Sequence, residues 1–151
     1  MYDKVQAHWK AEMSRLMDEM AATLDDAGRR ALKERLQFME ETNMAVVVSS
    51  SQNEIEEMKA KGLDIVPHRK RMISEDLETK FKDPDDPFRI VFVCAMWLTG
   101  FDAPTVSTLY LDKPQKDHTL MQTIARANRV CSHKIQGVEK KNGEVVDYYG
   151  V

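Results

Sequence analysis

An unbroken apolar run constrains the fold more than any other feature of the chain. It extends from Arg89 to Ala95 with the sequence RIVFVCA, and apolar and polar residues do not alternate within it. A half-solvated strand would show that alternation, so the run predicts a strand covered on both faces, as in a parallel sheet. A Thr-Gly-Phe-Asp-Ala-Pro loop follows, and 108–111 is predicted as a second short strand. The centre of the chain therefore predicts an α/β fold.

The helix predicted after this second strand, starting near His118, carries a polar face with two arginines. Gln122, Arg126 and Arg129 recur at i, i+4 and i+7, which at about 100° per residue places them within an arc of roughly 60°. The apolar residues of the other face are Leu120, Ile124 and Ala127. The helix can therefore dock on the sheet and present two guanidinium groups outward. Spacing alone also fits a solvent-exposed face that makes ordinary salt bridges.

The first 42 residues predict a helical hairpin. Apolar residues recur at helical spacing over 2–24, with Leu24 as the last of the stripe, and again over 29–41. The intervening DDAG places Gly28 in a turn. Two interpretations stay open, a docking arm for another part of a larger protein and packing against this chain's own sheet.

The stretch after the hairpin continues the α/β pattern. Four elements are predicted there: a strand at 44–49, a helix opened by a capping box at Ser51 and Glu54 and closed at Gly62, a short strand at 63–66, and a helix from Ser74 to Phe81. Prolines and aspartates make 83–87 a loop. Near the end of the chain, 131–143 lacks periodicity and 144–149 predicts a final strand.

The charge balance and the missing motifs limit what the chain can do alone. Its net charge is −3 and its pI is near 5.8, which argues against tight unaided nucleic-acid binding. The histidines and two cysteines have no metal-ligand spacing, so no metal site is predicted. No signal peptide or membrane span is evident, which makes a cytoplasmic location the expectation. No G-x-x-x-x-G-K-[ST] loop occurs, so the chain supplies at most half of an ATP site and is expected to be a fragment.

Three segments of the chain resemble known motor motifs. The TGFDAP loop and the segment QTIARANR resemble motifs V and VI of superfamily 2 helicases and translocases. These sequences most closely resemble those of the motor of the R (restriction and translocation) subunit of type I restriction enzymes. MAVVVSSSQNEIEEMKAKGLDIVPHRKRM resembles motif IV and its following helix, and the resemblance covers roughly residues 40–151. It implies that 43–151 is the second RecA-like lobe of such a motor, a mostly parallel sheet flanked by helices, preceded by the hairpin at 1–42.

The resemblance also implies nucleotide-site roles. Arg126 and Arg129 would be arginine fingers, which place guanidinium forks against the γ-phosphate as negative charge spreads over its oxygens. Gln122 would position the nucleotide or an arginine. Asp102 would face the ribose or steady a finger arginine, and Gly100 would permit close backbone approach. The cofactor implied is ATP with Mg²⁺, bound mainly by a preceding domain.

DNA contacts are implied in the same way. Thr99 in the motif-V-like loop would contact a DNA phosphate, and Ser49 and Ser50 would hydrogen-bond the DNA backbone. A dense basic cluster adds three candidates, although a short charge run is more often a solvated face: Arg69, Lys70 and Arg71. The partners implied are double-stranded DNA, the first RecA-like lobe of the same polypeptide, and the modification and specificity subunits of the restriction complex.

Three other functions remain possible from the sequence. The chain could belong to a superfamily 2 motor that remodels or unwinds, it could be a subunit-docking module without a catalytic role, or it could be a stand-alone small-molecule enzyme. The missing phosphate loop weighs against the last. For the isolated chain, negligible ATPase activity is expected, and the nuclease residues of such enzymes are not evident in it.

Overall fold

The computed structural model describes residues 1–94, 96–97, 101–114, 117–135 and 138–148. In these residues the elements follow one another as α1 (Tyr2–Ala22), α2 (Asp26–Glu41), β1 (Asn43–Val48), α3 (Glu54–Ala60), α4 (Val66–Ser74), α5 (Leu77–Lys82), β2 (Phe88–Cys94), β3 (Thr108–Leu111), α6 (Asp117–Ala127), β4 (Cys131–Ile135), β5 (Val138–Lys140) and β6 (Glu144–Asp147). None of the helices in the described ranges is long and apolar enough to cross a membrane. The chain divides into two compact units, Met1–Val46 with Pro87–Phe92 and Val47–Asp86 with Val93–Val151.

Helices α1 and α2 form the hairpin that the sequence predicts, with a core of their own. Leu16, Leu36 and Met39 are buried, and partly buried apolar side chains surround them: Trp9, Met13, Met20 and Leu32. The Trp9 Nε1–H donates to the Met39 carbonyl oxygen at 3.0 Å, which satisfies the polar atom of a largely apolar side chain. The apolar stripe of the sequence therefore marks the contact between the two helices.

The turn between these helices differs from the prediction. Helix α1 ends at Ala22, so Leu24 lies beyond it and is 93% exposed rather than part of the stripe. Gly28 lies in the first turn of α2 and not in the break, because the Asp25 carboxylate accepts from the Gly28 N–H at 2.7 Å and caps the helix there.

Side chains of the hairpin also contact the strands of the same unit. The rings of Tyr2 and Phe92 meet edge to face, with centroids 5.4 Å apart. The Arg89 guanidinium lies over the Phe38 ring at 4.4 Å and donates to the Thr42 hydroxyl at 3.2 Å. A docking role for residues 1–42 stays a prediction, as does the domain boundary at residue 43.

The described strands form three two-stranded sheets. β1 pairs with β2, and β3 pairs with β6 in parallel, with Leu111 opposite Asp147. β4 and β5 form an antiparallel hairpin in a stretch where the sequence predicted no regular structure. Helices and a parallel strand pair fit an α/β chain, while a single RecA-like sheet stays a prediction.

Two predictions between β1 and β2 are wrong, the strand at 63–66 and Ser74 as the start of the helix that follows. Residues 63–66 do not form a strand, because α4 begins at Val66, where Pro67 provides the fixed φ of a first helical turn and the Asp64 carboxylate accepts from the Val66 N–H at 3.0 Å. Ser74 ends α4 and does not begin the next helix. Helix α5 is capped instead by Asp76, whose carboxylate accepts from the Thr79 N–H at 3.1 Å.

Strand β2, one of the two strands of its sheet, is less covered than its composition suggests. Phe88 is 3% exposed, but Val93 is 37% exposed and Cys94 is also exposed. The prediction of a strand buried on both faces is therefore wrong for the carboxyl-terminal end of β2. A continuous apolar run predicts the strand itself, since β-branched and aromatic residues favour it, but not its coverage.

Candidate functional site

Helix α6 lies against the parallel strands β3 and β6. Thr123 and Ala127 are 2% and 1% exposed on the docked side, whereas Gln122 is exposed on the other side. Leu120 and Ile124 are half-buried. The predicted apolar face is therefore the docked one, and Gln122 lies on the outward face.

The two predicted arginines differ in their backbone setting. Arg126 lies within α6, and its side chain is outside the described part of the structure. Arg129 does not lie on the helix as predicted, because α6 ends at Ala127 and the last helical hydrogen bond is from the Asn128 N–H to the Ile124 carbonyl at 3.0 Å. Arg129 therefore extends from the segment between α6 and β4, and its side chain is 51% exposed.

Arg129 is paired with Asp102, a residue 27 positions earlier in the chain. The Arg129 Nη1 lies 2.6 Å from the Asp102 Oδ1, and the Asp102 side chain is 56% exposed. Two of the predicted nucleotide-site residues are therefore in direct contact at the surface. Their pairing leaves much of the guanidinium accessible to solvent.

The backbone around Asp102 is held by its neighbours. Phe101 and Ala103, on either side, are 9% and 3% exposed, so the loop is anchored before and after the carboxylate. The Phe101 ring stacks on Trp97 with centroids 4.3 Å apart and an interplanar angle of 3°. The Lys82 ammonium lies 5.0 Å from the centre of the Phe101 ring, in cation–π contact. An exposed carboxylate on a well-packed loop can hold an arginine in a defined place.

A buried lysine joins the two segments that carry this ion pair. Lys140, on β5, is 6% exposed, and its Nζ donates to the carbonyl oxygens of Pro104 and Arg129, each at 2.8 Å. Burial lowers the pKa of the Lys140 ammonium because the charged form loses hydration. Sequence reasoning missed this residue. Beside Lys141 it has the pattern of a solvated charge pair, and the hairpin that buries it was not predicted.

Thr99 and Gly100 lie outside the described residues, so their predicted roles stay predictions. Among the described residues, no group of three histidine, cysteine or acidic side chains lies close enough together to hold a metal ion.

In the motif-IV-like region, the predicted DNA-contacting residues Ser49 and Ser50 lie close to Arg69 in the structure. Ser49 and Ser50 are exposed just after β1. The Arg69 guanidinium donates to the carbonyl oxygens of Val48 at 3.0 Å and Ser49 at 3.4 Å, and it forms a bidentate pair with Glu54 at 2.9 and 2.6 Å. The hydrogen bond from Arg69, with a weaker contribution from the Ser51 N–H, lowers the pKa of the Glu54 carboxyl. Arg69 thus ties α3 and α4 to the end of β1.

The other two cations of the basic cluster differ from each other. Arg71 Nε lies 2.7 Å from Glu75 Oε1, and the Lys80 ammonium binds the second oxygen of Glu75 at 2.9 Å. The hydrogen bonds from Arg71 and then from Lys80 lower the pKa of Glu75 to about 2. Lys70 is exposed on the same helix. Whether any of the three binds DNA stays a prediction, with Lys70 the most accessible.

The described elements thus define an α/β chain with an exposed arginine–aspartate pair beside a parallel strand pair. The family model for type I restriction enzyme subunit R domain 3 matches residues 21–150. The chain belongs to this family.

Named relatives agree with the family match. Over 77 residues, 51% of the chain, it is 54% identical to the type I restriction enzyme HindI endonuclease subunit of Haemophilus influenzae, covering 7% of that protein. Over 109 residues, 72% of the chain, it is 41% identical to the putative type I restriction enzyme MjaIXP endonuclease subunit of Methanocaldococcus jannaschii, covering 9% of it. The chain therefore spans less than a tenth of the length of these relatives, and it is a fragment of such a subunit.

Proposed function

We propose that this chain is part of the ATP-dependent DNA translocation motor of a type I restriction enzyme R subunit, with residues 43–151 as its second RecA-like lobe. The observation that carries the proposal is the ion pair between Asp102 and Arg129, in which a carboxylate orients the guanidinium and the Arg129 side chain is 51% exposed. Family membership supports the R subunit, and the pair supports the nucleotide role.

An arginine in this setting suits phosphoryl transfer. A guanidinium offers a planar fork of N–H donors that matches phosphate oxygens, and its charge stabilises a transition state in which negative charge spreads over the γ-phosphate. Asp102 neutralises Arg129 when no phosphate is near, and a triphosphate that enters the site competes with that carboxylate for the guanidinium. Gln122 and Arg126 lie on α6, and together with Gly100 they complete the proposed set of nucleotide-contacting residues.

The remaining parts of an ATP site come from elsewhere in the proposal. No acidic cluster for Mg²⁺ occurs in the described residues, so the metal and the phosphate loop are assigned to a preceding domain, and no step here depends on metal geometry. Closure of this lobe on the first RecA-like lobe brings Arg126 and Arg129 to the triphosphate, and hydrolysis releases the closure. The lobe alone is then expected to be inactive.

DNA contact is assigned to exposed groups on the same lobe. Ser49 and Ser50 can donate to phosphate oxygens from the end of β1, and the Lys70 ammonium is accessible on α4. Thr99 is proposed as a further phosphate contact. Phosphates held on both lobes would convert cycles of closure into movement along double-stranded DNA. Because the relatives are named endonuclease subunits, we assign the parent protein to DNA cleavage in a restriction complex with modification and specificity subunits.

The test is the steady-state DNA-stimulated ATPase of the full-length R subunit with Arg126→Ala or Arg129→Ala. We expect a loss of about 10³-fold or more, the scale associated with an arginine finger. Arg30→Ala, an exposed arginine on α2, is the matched control and should leave hydrolysis unchanged. Near-normal hydrolysis in both site variants would refute the nucleotide role.

A further inference from the structure

The Lys140 ammonium bridges two backbone segments by donating to one carbonyl oxygen of each. One segment runs from Phe101 through Pro104 and carries Asp102, and the other runs from the end of α6 to Arg129. Both carbonyl oxygens that Lys140 binds, those of Pro104 and Arg129, lie 2.8 Å from the Nζ. A single buried charge therefore fixes the separation of the two segments.

From this geometry we infer that Lys140 is a positioning residue for Arg129, setting the separation at which Arg129 and Asp102 pair and at which Arg129 meets phosphate. This inference rests on the proposed function for the part that concerns hydrolysis. Its structural part, that Lys140 sets the pair, stands on the two hydrogen bonds alone.

A buried ammonium is a poor choice for stability alone. Removing a lysine charge from water is costly, and a well-packed apolar side chain of similar volume commonly stabilises a buried position as well or better. Hydrogen bonds to two carbonyl oxygens offset the lost hydration of the ammonium only when both backbone segments are held in one arrangement. Lys140 is thus suited to specify geometry, with the desolvated environment strengthening both bonds.

The strand that carries Lys140 is itself fixed relative to Arg129. Lys140 on β5 is paired with Cys131 on β4, and Cys131 follows Arg129 by only two residues. Three residues beyond Lys140, Gly143 packs against the backbone of Ala127 at the end of α6. The segment that contains Arg129 is therefore held by the β4–β5 hairpin on one side and by the connection to β6 on the other.

The test uses the full-length R subunit with Lys140→Met, which keeps the length of the side chain and removes its donors. A displacement of about 1 Å can cost on the order of 10²-fold in rate, so we expect kcat for DNA-stimulated ATP hydrolysis to fall by about 10- to 100-fold, with KM for ATP changed by about threefold or less. Lys140→Arg keeps two or more donors and should restore much of the rate. Lys141→Met, on the exposed neighbour, is the control and should match the wild-type protein.

Two further measurements separate positioning from general destabilisation. Hydrogen–deuterium exchange of the segments 101–107 and 127–131 should speed up in Lys140→Met, and not in Lys141→Met. Adding Lys140→Met to Arg129→Ala should cost no further activity if the lysine acts through that arginine, whereas independent effects would multiply. Should Lys140→Met fail to fold, Lys140→Gln supports the same comparisons, with an amide that reaches fewer acceptors.

The possible outcomes separate this inference from the proposed function. If Arg129→Ala abolishes hydrolysis but Lys140→Met has a normal kcat, the positioning role is refuted while the motor function stands. The same holds if Lys140→Met lowers the activity of the wild-type protein and of Arg129→Ala by an equal factor. Unchanged exchange in both segments likewise refutes the positioning role. If Arg129→Ala hydrolyses ATP normally, the part of the inference that concerns hydrolysis fails; if Arg126→Ala does so as well, the proposed nucleotide role fails with it.

Discussion

Gly143 contacts the backbone of Ala127 so closely that a Cβ on Gly143 would overlap the carbonyl carbon and oxygen of Ala127. Ala127 is 1% exposed, so it cannot move into solvent to relieve the overlap. The turn before β6 and the end of α6 are therefore packed at backbone distance, which only glycine permits at position 143.

Gly143→Ala should destabilise the fold, because the added methyl group meets backbone and not a flexible side chain. We expect a loss of about 1–3 kcal/mol, the usual range for overpacking, with about 2–4 °C in Tm for each kcal/mol. Thermal unfolding of the purified chain measures the loss. Asn142→Ala, at the exposed neighbouring position, is the control, and an equal Tm for the two variants would show that the contact is not tight.

Leu16→Ala should destabilise the hairpin strongly, because Leu16 is fully buried against Leu36 and Met39. Truncation of a buried leucine removes apolar burial and leaves a cavity, so we expect about 2–5 kcal/mol, measured by urea denaturation. Leu24→Ala changes a leucine from the same predicted stripe that is 93% exposed, and its effect should be within about 0.5 kcal/mol. Equal effects of the two changes would contradict the observed end of α1.

The ionisation of Glu75 should make the free energy of unfolding depend on pH. Its folded-state pKa of about 2 lies below the ordinary 4.5, because Arg71 and Lys80 hydrogen-bond the ionised carboxylate. A depressed carboxyl pKa stabilises the fold above the unfolded-state pKa, and that contribution is lost as pH falls from 4.5 through about 2. At neutral pH, Glu75→Gln should therefore be less stable than the wild-type protein by about 1 kcal/mol. This difference in stability should disappear as the pH approaches about 2.

The measurement is the midpoint of urea unfolding for both proteins across that pH interval. Glu57→Gln, an exposed position on α3, serves as the control and should follow the wild-type curve. A difference between wild type and Glu75→Gln that persists unchanged down to the lowest pH would show that the ion pairs do not hold the carboxylate in its ionised form.

Lys70 and Arg69 should behave differently towards DNA. If Lys70 contacts a phosphate, Lys70→Ala in the full-length R subunit lowers affinity for duplex DNA and reduces the slope of log K against log salt by about 1. Arg69→Met should mainly lower stability, because it leaves Glu54 and the Val48 carbonyl without their donor. Fluorescence anisotropy with duplex DNA over a range of salt concentrations measures the slope. Lys61→Ala is the exposed control, and an unchanged slope in Lys70→Ala would remove this residue from the DNA contacts.

Local patterns in the sequence predict the helices and several strands well. The periodicity of α1 and α2 marks their contact, Gly62 has the positive φ of +72° expected of a residue that closes a helix, and β3 is observed as predicted at Thr108–Leu111. These features depend on residues close together in the chain. A short window of sequence therefore contains the information that specifies them.

The failures involve contacts between distant residues or competing local bonds. The apolar stretch before Pro67 has strand composition, but the proline and the hydrogen bond from the Val66 N–H to the Asp64 carboxylate favour a helix there. The β4–β5 hairpin has no apolar pattern that would predict it, and the hydrogen bonds of the buried Lys140 to the Pro104 and Arg129 carbonyls are not visible in the sequence. The family resemblance left two roles open for Asp102, the ribose or a finger arginine, and its contact with Arg129, 27 positions away, is seen only in the fold.

The chemical step of ATP hydrolysis tests the role of Arg129 most directly. Single-turnover hydrolysis by the DNA-bound full-length R subunit separates chemistry from nucleotide binding and product release. For Arg129→Ala we expect the single-turnover rate to fall by about 10³-fold or more, with ATP affinity changed by about tenfold or less. A single-turnover rate within about threefold of the wild-type rate, in a variant that still binds ATP and DNA, would contradict the assignment of Arg129 to the triphosphate.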